Sequence, residues 1–252
     1  MHNDHTIMPN LTNLRIHIAP VGYEIDRIVL PAKKMRADKV FLLVHENPSE
    51  DKATKFYDII DKKLNKLNIE TEKVYHNRLD LFQIIKSVKE LIQLQSNDSV
   101  YVNLASGSKI QSVACMMACQ MFNDNENVSP YYVEAKEYLG FSGETISKGI
   151  KKIQAVPSYE IKKPELKLIQ ALKIIKENNG KLSKKEMAKF CLDEKLITIH
   201  AENESQATFA SLDQNIIAPL EKKWGFIEVE KIGRTRWIKI TGEGKNAAEF
   251  LI

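Results

Sequence analysis

The chain has 252 residues, 43% of them hydrophobic and 28% charged, with 37 Lys and Arg against 33 Asp and Glu and a formal net charge of +4. That length suits two domains better than one small one, and the apolar share can fill a sizeable core, which excludes disorder as the overall class. Ten Gly and eight Pro exclude a collagen-like chain, no stretch approaches the roughly 18 apolar residues of a membrane span, and three Cys without Cys-x-x-Cys spacing point to reduced thiols in a cytoplasmic protein.

Residues 1–13 read as a polar tail without the apolar core of a signal peptide. From there strands and helices alternate. Residues 14–19 (LRIHIA) form a short β-prone run ending at Pro20-Val21-Gly22-Tyr23, and 24–35 read as a helix with Ile25, Ile28 and Val29 on one face. Residues 40–44 (VFLLV) are continuously apolar, as in a strand buried on both faces of a parallel sheet. A helical stripe follows over 50–67 through Ala53, Phe56, Tyr57, Ile60 and Leu64, then a strand over 69–75. Leu81, Ile84, Ile85, Val88, Leu91 and Ile92 mark the next helix, 99–104 (SVYVNL) a fourth strand, and Ile110, Val113, Ala114, Met117, Ala118 and Met121 the helix behind it. Residues 128–133 suit a fifth strand. Residues 134–149 are polar and read as an irregular excursion, and 150–156 suit a last, antiparallel strand.

Strict β/α alternation implies parallel strands with right-handed crossovers and helices on both faces. The expectation is a Rossmann-like α/β domain over 14–156. In such an open sheet, ligands sit outside the carboxyl ends of strands where the strand order reverses, here between the first and fourth. Two segments lie there: residues 19–23, and Asn103-Leu104-Ala105-Ser106-Gly107-Ser108-Lys109, which runs from strand into helix. The small residues let backbone amides approach a ligand, the helix start favours an anion, and Lys109 adds a cation. A serine-capped tight turn explains the same residues equally well. The segment is neither a Walker loop nor Gly-x-Gly-x-x-Gly, which disfavours a nucleoside-triphosphate engine.

Pro157 to Pro164 (PSYEIKKP) reads as a linker, and 165–252 as a second domain. Its first helix carries Leu168, Ile169, Leu172 and Ile175 inward and stops at Asn178-Asn179-Gly180. Ser183-Lys184-Lys185-Glu186 is a capping-box pattern opening a second helix. A third spans 205–223 with Phe209, Leu212, Ile216 and Leu220 inward and Pro219 expected to kink or re-initiate it. Two strands around Gly233-Arg234 form a hairpin, and 247–251 close the chain with a helix. Three helices and a β-hairpin give the winged helix-turn-helix order, so the fold class is a Rossmann-like parallel sheet domain followed by a winged helix-turn-helix domain. In that arrangement the third helix enters the major groove and the wing touches the backbone. Gln206, Thr208, Ser211, Gln214 and Asn215 would then face base edges, and Lys222, Lys223, Arg234 and Arg236 the phosphates of duplex DNA. Charge agrees: up to Ile161 there are 20 Lys and Arg against 20 Asp and Glu, so the remaining 17 against 13 carry the whole excess. Winged helices also dock proteins, and that alternative stays open.

His2, His5, His17, His45, His76 and His200 are scattered, and Cys115 and Cys119 sit among Met and Ala as core thiols, so neither a metal nor a cofactor is expected. No Gly-x-Ser-x-Gly elbow occurs.

The turn at Gly22, the Asn103-to-Lys109 segment before a helix and the winged helix behind them together resemble the archaeal CARF–helix-turn-helix transcriptional regulators, CARF being the CRISPR-associated Rossmann fold. Many members carry Gly-Gly-Thr or Thr-Gly-Gly where this chain has Ala105-Ser106-Gly107-Ser108. The resemblance implies a homodimer that senses a cyclic oligoadenylate, most often the tetra-adenylate, across its two-fold axis and binds DNA through the winged helices. It implies Val21, Gly22, Tyr23, Asn103, Ala105, Ser106, Gly107, Ser108 and Lys109 as ligand residues, with Tyr23 either stacking on adenine or packing on the partner. His76-Asn77-Arg78 is a weaker third segment, read as an exposed loop. A ring nuclease is the enzymatic alternative: bound ribose 2′-hydroxyls would attack their own phosphates, with Ser106 and Lys109 as its site.

Overall fold

A computed structural model describes residues 13–124, 126–140, 145–157, 161–198 and 204–252. Residues 1–12 of the predicted tail, with His2 and His5, as well as His200 and residues 158–160 of the predicted linker, lie outside them. The chain divides into two compact units at the junction of Ile161 and Lys162.

The first unit is a six-stranded sheet in the order β3-β2-β1-β4-β5-β6. Its strands are β1 (Arg15–Pro20), β2 (Lys39–His45), β3 (Glu70–His76), β4 (Ser99–Asn103), β5 (Val128–Tyr138) and β6 (Ser147–Ala155). The first five are parallel, and β6 runs antiparallel to β5. Helices α1 (Asp26–Lys34), α2 (Thr54–Asn65), α3 (Leu81–Leu94) and α4 (Lys109–Met121) form the crossovers. The chain winds outward from β1 to β2 and β3, returns through α3 to β4 on the other side of β1 and goes on to β5, so the order reverses between β1 and β4 as expected. Ala19, Val40 and Leu42 pack with Ile28, Val29, Phe56, Tyr57 and Ile60 of α1 and α2 in one core, while α3 packs on α4. The apolar run 40–44 is buried through Leu43, as a central strand requires.

In place of the irregular excursion expected over 134–149 the chain forms strand at both ends of that segment. β5 continues to Tyr138 and β6 begins at Ser147, making a hairpin whose register shifts between Glu134 and Ala135. Val133, Ala135 and Ser147 are buried, whereas Lys136, Glu137, Lys148, Lys151 and Lys152 are not. A strand pair half covered and carrying so many charges has a low average hydropathy, and its bulge interrupts the alternation that would reveal it.

The second unit contains α5 (Leu166–Glu177), β7 (Lys181–Ser183), α6 (Lys184–Asp193), α7 (Glu204–Leu212), β8 (Ile227–Ile232), β9 (Thr235–Ile240) and α8 (Gly242–Leu251). The three strands form an antiparallel sheet in the order β7-β9-β8; β7 was not foreseen, being only three residues long. Leu172, Ile175, Met187, Cys191, Leu212, Ile216, Leu220 and Ile238 are among its buried residues. Ser183 caps α6 as predicted: its Oγ accepts from the Glu186 amide, while the Glu186 carboxylate accepts from the Ser183 amide at 2.8 Å. Beyond α7 a new helical segment starts at Pro219, as the re-initiation reading expects. It is the second of two π-helical turns, Asp213–Ile217 and Pro219–Lys223. Proline has no amide to donate back, and the wider turn relieves its ring from the preceding carbonyl. Gly233, at φ +61°, leads the two-residue turn of the β8–β9 wing.

Candidate functional site

At the β1/β4 reversal the two predicted loops lie against each other. Ser106 Oγ donates to the Pro20 carbonyl at 2.8 Å. A Cβ on Gly22 would fall 2.8 Å from the Gly107 nitrogen, and one on Gly107 would fall 2.5 Å from Pro20 Cβ. The glycines are therefore what lets the loops close up, and Gly107 also sits at φ +76°.

The predicted ligand residues divide into two groups. Val21 is buried and its amide donates to Leu43 O at 2.9 Å. Asn103 is fully buried; its Nδ2 donates to Arg27 O and its Oδ1 accepts from the Ala105 amide, both at 2.8 Å. Ser106 is only 2% exposed. Ala105 is buried, and Tyr23 packs edge-on against Phe56 at 5.3 Å between ring centroids. These residues build the bend. Gly107 and Ser108 are half-buried and Lys109 is exposed, so these three form its outward face.

Ser108 caps α4 through a residue the sequence reading passed over. Gln111 Oε1 accepts from the Ser108 amide at 2.8 Å, and its Nε2 lies 2.9 Å from His76 Nε2. The amide oxygen is fixed by a backbone donor, so the nitrogen must face the imidazole. His76 Nε2 is then an acceptor, and the proton resides on Nδ1. His76 is 3% exposed, which overturns the exposed-loop reading of His76-Asn77-Arg78. Burial pushes its pKa down to about 4, the Val74 backbone partly opposing. Arg78 is ion-paired with Asp51, and its amide donates to His45 Nδ1 at 3.4 Å. Ser-x-x-Gln ahead of an apolar run was the available signal for Gln111.

A second unforeseen group ties α1 to the hairpin. Glu24 and Arg27 pair at 3.2 Å with both side chains under a tenth exposed. Arg27 Nε donates to Val133 O at 2.9 Å, and the Ser147 hydroxyl donates to Glu24. The Gly149 amide donates to Asp26 at 2.8 Å.

In the second unit Gln206 and Gln214 are exposed, as are Lys222, Lys223, Arg234 and Arg236. Ser211 and Asn215 are half-buried and bonded to each other, Asn215 Nδ2 lying 3.0 Å from Ser211 O. Thr208 departs from the expected open face: it is 7% exposed, while Phe209 is only partly covered. The buried positions 212, 216 and 220 step by four across the π turns, which hold more than 3.6 residues each, so the stripe they continue runs back through Thr208 rather than Phe209. The wing and the start of α6 border an open cleft of about 430 Å³ lined by Lys184, Lys185, Phe209, Arg234, Thr235 and Arg236. Beside it a cleft of about 260 Å³ is lined by Lys184, Asp213, Glu221, Lys222 and Arg236 among others.

Among the described residues no group of three or more His, Cys, Asp or Glu is placed to hold a metal, and no helix is long and apolar enough to cross a membrane.

The uncharacterized protein MJ1513 of Methanocaldococcus jannaschii is 28% identical over 216 residues, covering 75% of this chain and 64% of that protein, so the chain spans less than two thirds of its relative. Among solved structures, Can2 from Sulfobacillus thermosulfidooxidans in complex with cyclic tetra-adenylate aligns at 12% identity over 93% of this chain and 63% of that one, with a TM-score of 0.40. Protein VC1899 from Vibrio cholerae aligns at 15% identity over 93% and 64%, with a TM-score of 0.41. Csm6 from Enterococcus italicus, bound to cyclic hexa-2′-fluoro-hexa-dAMP, aligns at 10% identity over 84% and 56%, also with a TM-score of 0.41. Residues 15–138 match the family model described as HFX_2341_N-like, N-terminal. Residues 167–252 match that of the DUF6293 C-terminal winged helix domain, so the Rossmann-like sheet of this chain is followed by a winged helix domain.

Proposed function

We propose that this protein is a transcriptional regulator that senses a cyclic oligoadenylate, cyclic tetra-adenylate first among them, and binds duplex DNA through its winged helix. The observation that carries the sensor half is the docking of the Pro20–Gly22 and Ala105–Gly107 bends at the β1/β4 reversal, with Ser108 and Lys109 turned outward at the start of α4. A strand-order reversal is where open α/β sheets hold ligands, and a helix start with a lysine beside it suits phosphate. The CARF resemblance of the same residues supplies the ligand class. A homodimer follows from symmetry, since a two-fold ring is held by one patch from each subunit. The exposed arginines and lysines of the wing and third helix support the DNA half. Ring cleavage through Ser106 has less support, because that hydroxyl is buried and donates to Pro20.

Titration calorimetry against cyclic tri-, tetra- and hexa-adenylate tests the sensor: saturable binding of one ring per two chains is expected, and no heat with any ring removes the reading. Anisotropy of labelled duplex DNA at rising salt tests the other half, with affinity falling steeply as salt increases.

A further inference from the structure

We infer that the cleft between the first turn of α6 and the wing seats a DNA phosphate, that Lys184 is the cation receiving it, and that Asp213 restrains Lys184 until the phosphate replaces it. The inference rests on the DNA reading above and adds to it two residues which that reading leaves without a role.

Lys184 borders both basic clefts, as does Arg236. Five cations, Lys184, Lys185, Lys222, Arg234 and Arg236, line the two clefts together. The carboxylates facing them are Asp213 and Glu221, and Glu221 is engaged by the Val229 amide at 3.2 Å. The surplus is positive, and the groups come from α6, the third helix, the wing turn and β9, which suits a backbone running past the mouth of the cleft.

Lys184 is held from the Asp213 side. Its Nζ lies 2.6 Å from Asp213 Oδ2 and 5.4 Å above the Phe209 ring. The lysine side chain is 13% exposed and the aspartate 47%, so the pair is open at the carboxylate end, where an incoming phosphate would arrive. A phosphate competes for the same ammonium, and Asp213, on the helix assigned to the major groove, then faces the DNA as an unpaired negative charge. Asp213 thereby weakens every complex and limits non-specific binding.

The test uses the full chain and a labelled random-sequence duplex of about 30 base pairs, with thermal melting as a check on folding. Lys184→Gln is expected to reduce the negative slope of log K against log salt by about 0.9, the release for one phosphate contact. Asp213→Asn is expected to tighten binding roughly two- to fivefold, the range for an exposed ion pair removed from competition. Lys239→Gln, whose Nζ is held by Glu228 and Glu230, is the charge-matched control and leaves the slope unchanged. A Lys184→Gln slope equal to wild type overturns the seat, and Asp213→Asn with lower stability but unaltered affinity makes the pair a mere tie between helices. A wild-type chain that binds no duplex even at low salt, yet is retained by an acidic protein, overturns the DNA reading itself.

Discussion

Gly22 and Gly107 meet backbone to backbone, so that a single methyl on Gly22 would press to within 2.8 Å of the Gly107 nitrogen. Gly22→Ala should therefore lower stability by about 1–3 kcal/mol, because a rigid backbone rather than a side-chain tip stands in the way. Gly107→Ala should cost more, since it adds a strained φ of +76° to a 2.5 Å approach to Pro20 Cβ. Gly242→Ala is the control: nothing lies within 4 Å of its added Cβ. Urea unfolding should find Gly107→Ala the most destabilised, Gly22→Ala next and Gly242→Ala the least.

Gln111 links a helix cap to a buried imidazole. Gln111→Ala should destabilise by roughly 2–3 kcal/mol, because it strands the Ser108 amide and removes the partner of His76 Nε2. Gln111→Glu separates the two roles. The carboxylate still accepts from Ser108, but places an oxygen where His76 needs a donor, so the imidazole gains by protonating. An NMR titration should find the His76 pKa above its value of about 4 in the wild type.

His76 and His17 are both buried, and burial pushes each pKa down from 6.5 to about 4. The unfolded chain takes up these protons near pH 6.5, whereas the folded chain does not until about pH 4. Stability should therefore be at its plateau above pH 6.5, fall as the pH drops through that window, and level off below it. Each group contributes up to roughly 3 kcal/mol of that loss. His17→Gln should reduce the steepness of the urea midpoint against pH over the same window, leaving the His76 part.

What was legible in the sequence depended on how far apart the cooperating residues lie. The apolar run through Phe41 and Leu43 and the helical stripe through Phe56 and Ile60 announce buried strands and helices locally, and their alternation is enough to place the reversal between β1 and β4. The Glu24–Arg27 pair announced nothing, because its remaining partners, Ser147 and Val133, lie over 100 residues along the chain, one inside the segment that reads as a polar excursion and the other at its edge. Asn103 and Ser106 were legible as polar residues at the right bend, but whether a polar side chain faces a ligand or braces a neighbouring loop is decided by the Pro20 and Arg27 carbonyls opposite. Thr208 was misplaced for a different reason: a 3.6-residue period carried back from Leu220 misses the π turns that begin at Asp213 and so selects Phe209.

The two roles within one bend can be separated by substitution. Ser106 is buried and holds Pro20, whereas Lys109 is exposed at the first position of α4. Ser106→Ala removes a buried hydrogen bond and leaves the Pro20 carbonyl unsatisfied, so it should cost about 1–2 kcal/mol of stability. Where the fold persists, the outward face of the bend is unchanged, and affinity for a cyclic oligoadenylate should fall only slightly. Lys109→Ala should do the reverse, leaving the melting temperature within about 2 °C because surface substitutions rarely exceed 0.5 kcal/mol. It should weaken ligand binding by about tenfold or more, the value of a charge-assisted bond to phosphate. Melting curves and calorimetry on the two variants read both quantities. If Lys109→Ala binds the ring as tightly as wild type, the anion does not sit at this end of α4, and the bend is a brace between β1 and β4 and nothing more.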